Sequence, residues 1–334
     1  MTQATEAEAV LEPELPIIDP HHHLWDFPAS RYLLTELLAD LGSGHRIEAT
    51  VFVECTAFYS AHVSEPLKMV GETEFVTGVS AMADSGRYGE VRVARGIVGR
   101  ADLTLGSQVG SVLDAHIRAG GGRFRGIRHA AGWDPHPDVR NSHTDPPSGL
   151  YASRDFREGF AELGKRNLSF DAWQYHTQLP EVVELARAFP GTRLVLDHVG
   201  GPLGIGPYAG KRDEIFAQWS ADIRALAECP NVFVKLGGLG MPICGFEFHK
   251  RKSLAGSEEL ATAWKPYVET CIEAFGPKRS MFESNFPVDR ASCSYRTLWN
   301  AFKIVAKGAS AHEKALLFHD AAADFYRLDR GGDV

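Results

Sequence analysis

Three consecutive histidines, His21-His22-His23, follow Ile17-Ile18-Asp19-Pro20 inside a β-rich run and stand out among the fourteen histidines of the chain. Alternate residues of a strand share a face, so Asp19, His21 and His23 are expected on one side, Ile18 and His22 on the other. Two imidazoles on one face can bind a metal ion or an oxyanion, and a neighbouring carboxylate can orient a ring. A surface histidine cluster is the plainer alternative. His198 ends a second run, Leu194-Val195-Leu196-Asp197-His198, whose polarity appears only at its C-terminal end. Arg128 and His129 end a third, where alternation allows only one of them to point inward. Arg128 suits a substrate carboxylate through a bidentate contact, or else pairs with an acidic loop residue such as Asp134. Lys235 sits in the middle of Val234-Lys235-Leu236 and must be paired if buried, with Glu283, Asp171 or Glu54 as candidate partners.

These residues belong to a regular series of elements. Short β-rich runs recur at residues 17–23, 48–55, 94–101, 124–130, 168–173, 192–198, 231–236 and 280–285. Helical patterns lie between them. The clearest is Glu181–Phe189, with Val182, Leu185, Ala186 and Phe189 on one face and a stop at Pro190-Gly191. A second, Pro266–Phe275, opens near a proline and stops at Gly276-Pro277. Alternating strands and helices imply parallel pairing, and eight units fit a closed (β/α)8 barrel of α/β class in a single domain better than an open sheet. In that architecture the loops after the strand C-termini build the site. Residues 313–326 read as a last helix packed on the outside. Residues 1–15 carry four glutamates and no basic residue, which reads as a flexible acidic tail before a domain spanning 16–330.

Composition narrows the function classes. The 334 residues are 44% hydrophobic and 23% charged, enough to bury a core without disulfides or structural metals. No apolar stretch approaches the roughly 20 residues needed to span a bilayer, and the N-terminus lacks a basic start and apolar core. A soluble cytoplasmic protein is expected. With a net charge of −8 and scattered Lys and Arg, no footprint for nucleic acid or anionic membrane exists. The expected partner is a small-molecule substrate, with a homo-oligomer left open. Five cysteines, at 55, 229, 244, 271 and 293, form no CxxC pair and read as reduced structural thiols.

The string Ile17-Ile18-Asp19-Pro20-His21-His22-His23-Leu24-Trp25-Asp26 resembles the DxHxH signature on the first strand of the amidohydrolase superfamily. Four further strings resemble its amidohydrolase-2 branch of lactonases and decarboxylases: Gly126–His129 (GIRH), Leu196–Pro202 (LDHVGGP), Val234–Leu239 (VKLGGL) and Glu283–Asp289 (ESNFPVD). The closing Phe318–Tyr326 (FHDAAADFY) is similar to that branch's last helix. The resemblance implies a distorted (β/α)8 TIM barrel whose site uses His21, His23 and His198, as catalytic residues or as ligands of a divalent metal such as zinc. It implies an aspartate at the end of the eighth strand, where this chain has Asn285. An amide is neither a general base nor a charged ligand, so zinc is expected weakly bound or absent. Glu283 and Asp289 are then the candidate replacement bases. Arg128, His129, His176 and Asn285 are the candidate substrate contacts, His176 lying where metal-dependent relatives often place a ligand. The implied activity is hydrolysis of a small carboxylated lactone in sugar-acid or aromatic catabolism. Nonoxidative decarboxylation of an aromatic or unsaturated acid is the alternative, and a noncatalytic binding barrel the third.

Overall fold

The computed structural model describes residues 8–328. Its strands are β1 (Pro16–His22), β2 (Trp25–Phe27), β3 (Ser30–Tyr32), β4 (Arg46–Val53), β5 (Arg92–Gly99), β6 (Phe124–Arg128), β7 (Ser169–Ala172), β8 (Leu194–Leu196), β9 (Val232–Leu236) and β10 (Ser280–Phe282). β2 and β3 form a small antiparallel hairpin, and the other eight form one parallel sheet in the order β1-β4-β5-β6-β7-β8-β9-β10. The ring closes just beyond the strand ends, where Asn285 N donates to His21 O at 3.0 Å and His23 N to Phe286 O at 2.8 Å. All eight expected runs are present, each followed by at least one helix, giving the single-domain (β/α)8 barrel.

Strand alternation builds two apolar layers. Outward residues such as Phe52, Ile127, Phe170, Leu196 and Phe282 pack under the helices, which present faces like Val182, Leu185 and Ala186 of Leu179–Ala188. Inward residues Val51, Val98, Val195, Phe233 and Met281 form a separate cluster that fills the barrel's lower half. No helix among the described residues is long and apolar enough to cross a membrane, and all five cysteines are free.

Four expectations are corrected. Along β1 the alternation breaks: Ile18 joins the inner cluster, and His21 and His23 also turn into the barrel, toward Glu283 and the cavity, while Asp19 turns outward to accept from the Tyr295 hydroxyl at 3.0 Å. The cause is an irregularity in the β1–β4 register between Asp19 and His22, at Pro20, which has no N–H to pair. The helix expected from Pro266 begins at Ser257 and carries Pro266 in its interior. The C-terminal segment does not lie outside the barrel. Ala321, Phe325, Tyr326 and Leu328 join the inner cluster and close the barrel's lower end, with the Tyr326 hydroxyl donating to Asp171 Oδ2 at 2.6 Å. Finally, residues 8–15 are docked rather than loose: Glu8 Oε1 accepts from Ser257 N at 2.8 Å, and Lys303 Nζ donates to the carbonyls of Leu11 and Glu12 at 2.8 Å each. The rest of the expected tail, residues 1–7, lies outside the described residues.

Tyr326→Phe removes one bond to a buried acid while keeping the ring. It is expected to lower the unfolding free energy by about 1.5–3 kcal/mol, read from the urea midpoint at unchanged slope.

Candidate active site

Above the inner apolar layer, the next inward positions are polar. Arg128 ends β6, Asp171 lies on β7, Lys235 on β9, and Asp197, Glu283 and His21 sit at the upper ends of β8, β10 and β1; all are buried. The Lys235 ammonium lies 2.7 Å from Asp171 Oδ2 and 2.9 Å from Asp197 Oδ1. Of its three expected partners only Asp171 is met directly, and Asp197 takes the place of Glu283 and Glu54. Burial raises Asp171 to about 6 in spite of Lys235. For Asp197 burial acts the same way, but Lys235, His198 and Arg128 outweigh it and its pKa falls.

Glu283 grips two histidines at once. Its Oε2 is 2.8 Å from His21 Nδ1 and its Oε1 is 2.7 Å from His198 Nδ1, with the His198 backbone N–H at 3.0 Å. Burial alone would raise this acid, but the His198 and His21 rings outweigh it and hold Glu283 down to about 2. An ionised carboxylate only accepts, so the Nδ1 of His198 carries the proton and its Nε2 is bare. His21 is faced by donors on both nitrogens, Lys235 Nζ at 3.1 Å from Nδ1 and Arg128 Nη1 at 3.3 Å from Nε2, so its proton is not fixed as that of His198 is. His23 reaches the state of His198 by another route: its Nδ1 lies 2.8 Å from the Val53 carbonyl, which also only accepts. Burial is the main cause, followed by Lys235 for His21 and Arg128 for His23, that pushes both rings well below the ordinary imidazole value and keeps them neutral. Ring centroids are 4.5 Å apart for His21–His198 and 4.9 Å for His21–His23.

The glycines of the VKLGGL string explain how these groups fit. A Cβ on Gly237 would sit 2.5 Å from Glu283 Cγ, and one on Gly238 would sit 2.5 Å from the His198 ring. Both positions must be bare for the pair to seat.

A cavity of about 430 Å³ opens above this layer at the C-terminal mouth. His23, His198, Arg128 and Asn285 line it, Trp173 gives it an aromatic wall, and the segment 140–143 (Arg140-Asn141-Ser142-His143) supplies one side. No lining residue is acidic.

The expected site residues therefore separate. His21 lies directly beneath the floor, while His23, His198, Arg128 and Asn285 reach the cavity. His129 does not: it faces outward against Phe156, at 5.6 Å between ring centroids, and its Nδ1 accepts from Leu103 N at 3.3 Å. His176 is also elsewhere, stacked edge-on to Tyr208 at 5.2 Å with Nδ1 accepting from Leu203 N at 3.2 Å. Glu283 is too deep to touch a ligand. Asp289 is buried behind Asn285, accepting from Asn285 Nδ2 at 2.9 Å and Gly240 N at 3.0 Å, and burial raises it to about 7. Arg128 is not free for a bidentate contact, since Nε donates to Glu54 Oε1 at 2.7 Å and Nη2 to the Glu54 carbonyl. Its partner is Glu54, and Asp134 instead accepts from Tyr208 at 2.7 Å.

Three participants were not anticipated as site residues. Asp197 sits beside His198 and its inward position follows from strand alternation. Glu54 is the penultimate residue of a β-rich run, a usable signal. His143 lies in an irregular loop and gives no signal.

For a divalent metal, His21, Asp197 and His198 each offer a ligand atom, all within 4.8 Å of one another. Asp197 thus replaces His23 in the expected trio. The donor set suits zinc, yet Lys235 and Arg128 already bring positive charge against Asp197, at 2.9 and 3.5 Å.

Comparison with known proteins places this geometry. Residues 18–328 match the amidohydrolase family. The chain belongs to that family. Among its relatives is an uncharacterised protein, y4mH, of Sinorhizobium fredii, 34% identical with 94% of this chain and 99% of the relative aligned. Another is an L-fucono-1,5-lactonase of Burkholderia multivorans, 27% identical over 95% of this chain and 98% of the relative. Among solved structures, an amidohydrolase from Burkholderia multivorans with bound zinc superimposes at a TM-score of 0.72, with 25% identity and coverage of 94% and 99%. In this amidohydrolase, then, a fold shared with a zinc-bound relative carries Asn285 at the mouth and two fixed cations beneath it.

Two outcomes follow from these charges. Zinc is expected to be substoichiometric by elemental analysis after dialysis against a chelator, because Lys235 and Arg128 oppose a second cation; a full equivalent retained would overturn that reading. Asp289 titrates at about 7 folded, against 3.8 ordinarily. The native state therefore holds a proton that the unfolded chain releases, and stability from this group is complete below about pH 4 and lost as pH rises to about 7. The slope is at most about 1.4 kcal/mol per pH unit. Asp289→Asn should flatten that part of the stability profile.

Proposed function

We propose that this amidohydrolase opens a small carboxylated lactone by direct attack of water. The observation that carries the reading is the His198–Glu283 pair: a buried carboxylate holds Nδ1 at 2.7 Å, and the ring lines the cavity with Nε2 bare. Such an imidazole takes a proton from water as the oxygen attacks the ester carbon, and Glu283 stabilises the imidazolium that forms. His23, also neutral and bare at Nε2, accepts the water's second hydrogen and orients it. Arg128, locked by Glu54, is a fixed positive charge beside the developing oxyanion, a stabiliser that needs no reorganisation during the reaction.

The cavity also argues for the substrate class. It has no acidic wall, and Arg140 at its rim is exposed and has no acidic partner among the described residues. That guanidinium meets the substrate carboxylate, the role first considered for Arg128. The relationship to an L-fucono-1,5-lactonase supports opening of a sugar lactone, whose only carboxyl is the ring ester, so the extra carboxylate rests on Arg140 alone. A divalent ion held by His21, Asp197 and His198 would supply Lewis acidity toward a carbonyl oxygen, and would do so in place of the base, since it would take the same free nitrogen of His198.

The test is a panel of sugar-acid and aromatic lactones run beside a panel of aromatic acids. Hydroxy-acid formation supports the reading, carbon dioxide release from the acids replaces it with decarboxylation, and saturable binding without turnover leaves a noncatalytic barrel. On the best lactone, His198→Ala is expected to lower kcat about 10²- to 10⁴-fold. Glu283→Gln should cost about 10- to 100-fold, as for a group that orients another. Full activity in both variants would remove His198 as the base.

A further inference from the structure

Opening a lactone requires two proton transfers, and the His198–Glu283 pair accounts for one. After water adds, the carbon–oxygen bond of the ring must break, and the departing oxygen leaves as an alkoxide, a base as strong as hydroxide, unless an acid protonates it. No acidic side chain lines the cavity to do so. A second imidazole of the cavity wall, His143, is backed by a buried carboxylate.

That pair joins distant parts of the chain. His143 lies in the loop after β6, which is folded back on itself by Ser142 N donating to Gly132 O at 2.8 Å and Thr144 Oγ1 to Ala130 O at 2.7 Å. The loop carries the His143 ring across to Glu54 at the end of β4. There His143 Nε2 is 3.0 Å from Glu54 Oε1 and 3.2 Å from Oε2. Glu54 is completely buried and is held from its other side by Arg128 Nε at 2.7 Å. Burial alone would protonate it, but His143 and Arg128 outweigh burial and hold Glu54 well below the ordinary carboxylate range. It is therefore an acceptor, and the Nε2 of His143 carries a proton toward it. A second proton on this ring has only Nδ1 to occupy. Among the described residues nothing hydrogen-bonds to Nδ1, and the side chain keeps 27% of its surface open while lining the cavity.

The two pairs differ in how they are held. His198 is buried, 3% exposed, with its proton committed to Glu283 and its bare nitrogen presented to the cavity. His143 is on a loop, part-exposed, in contact with solvent from which it can be reprotonated each cycle. One suits taking a proton and the other suits giving one.

We propose that His143, backed by Glu54, is the acid that protonates the departing ring oxygen; this rests on the lactonase reading given above. In the balanced sequence, the water oxygen bonds to the ester carbon as its proton passes to His198 Nε2. The ring carbon–oxygen bond then breaks, its electron pair stays on the ring oxygen, and that oxygen takes the proton from His143 Nδ1. The product is one hydroxy acid. His198 returns its proton to solvent and His143 recovers one, so no other reactant is needed.

The experiment compares leaving groups. A phenol lactone, dihydrocoumarin, expels a stable phenolate and needs little acid help, whereas an aliphatic lactone does need it. His143→Gln can still donate to Glu54 and hold the loop but cannot transfer a proton. With folding checked by thermal melting, this variant is expected to lose about 10²- to 10⁴-fold in kcat on the best aliphatic lactone of the panel, with KM little changed. On dihydrocoumarin the loss should stay below about 10-fold. Wild-type turnover of the aliphatic lactone by His143→Gln makes the ring a latch and overturns the proposal. Equal losses on both substrates assign it to loop positioning and overturn it too. A wild-type enzyme that opens neither lactone refutes the lactonase reading itself, a result distinct from either of these.

Discussion

Glu54, Asp171, Asp197 and Glu283 lie with Arg128 and Lys235 inside one barrel, and each is nearly or wholly out of contact with water. Isolated there, any of the carboxylates, and the ammonium of Lys235, would surrender its charge. Four acids against two cations leave an excess of acceptors, and the excess is met by further donors: the ring N–H groups of His198 and His143, and the Tyr326 hydroxyl. That requirement sets the rest. It decides which nitrogen of His198 and of His143 is protonated, it lets the C-terminal segment plug the lower barrel through a polar tip, and it requires glycine at positions 237 and 238 so that the groups can come close enough.

The barrel itself was legible because its signals are local. Each strand is a short apolar run bounded by loops, and the rule that strand C-termini carry the chemistry led directly to His21, His23, His198 and Arg128. Two rules applied to those residues met different fates. Alternation at the end of β6 allows one inward residue, and Arg128 takes it while His129 turns to Phe156. Alternation along β1 fails at Pro20, because a proline cannot donate to the ladder and the register slips there. A slip of one residue moves side chains to the opposite face, which is why Asp19 meets Tyr295 and not the histidines.

The parts that were not legible are pairings across long sequence separations. Arg128 reads equally well as a substrate clamp or as a partner for a loop acid, and only the folded chain shows Glu54, 74 residues away, filling the fork. His143 reaches the same carboxylate across 89 residues from a loop without periodicity. The last helix was misplaced for a related reason. Its alanines and Phe325 suit a helix on the barrel's flank as well as a plug beneath it, and the plug is held by their packing on the inner cluster together with the bonds from Tyr326 to Asp171 and from Arg193 to Asp324.

Asn285 takes on meaning in this setting. Where the resemblance implies a carboxylate at the mouth, this chain places an amide that donates to Asp289, four residues on and one layer back. The acid is thus withdrawn from the cavity wall and shielded by the group that replaces it. Glu54 and Glu283 are withdrawn likewise, each behind a histidine. An anion entering the cavity therefore meets imidazole rings, an amide and guanidinium groups, with the carboxylates that orient those rings held out of its reach. A carboxylate at position 285 would repel any such anion. The amide keeps the cavity's polarity without that charge, and the imidazole beside it, His198, is held in place from behind by Glu283.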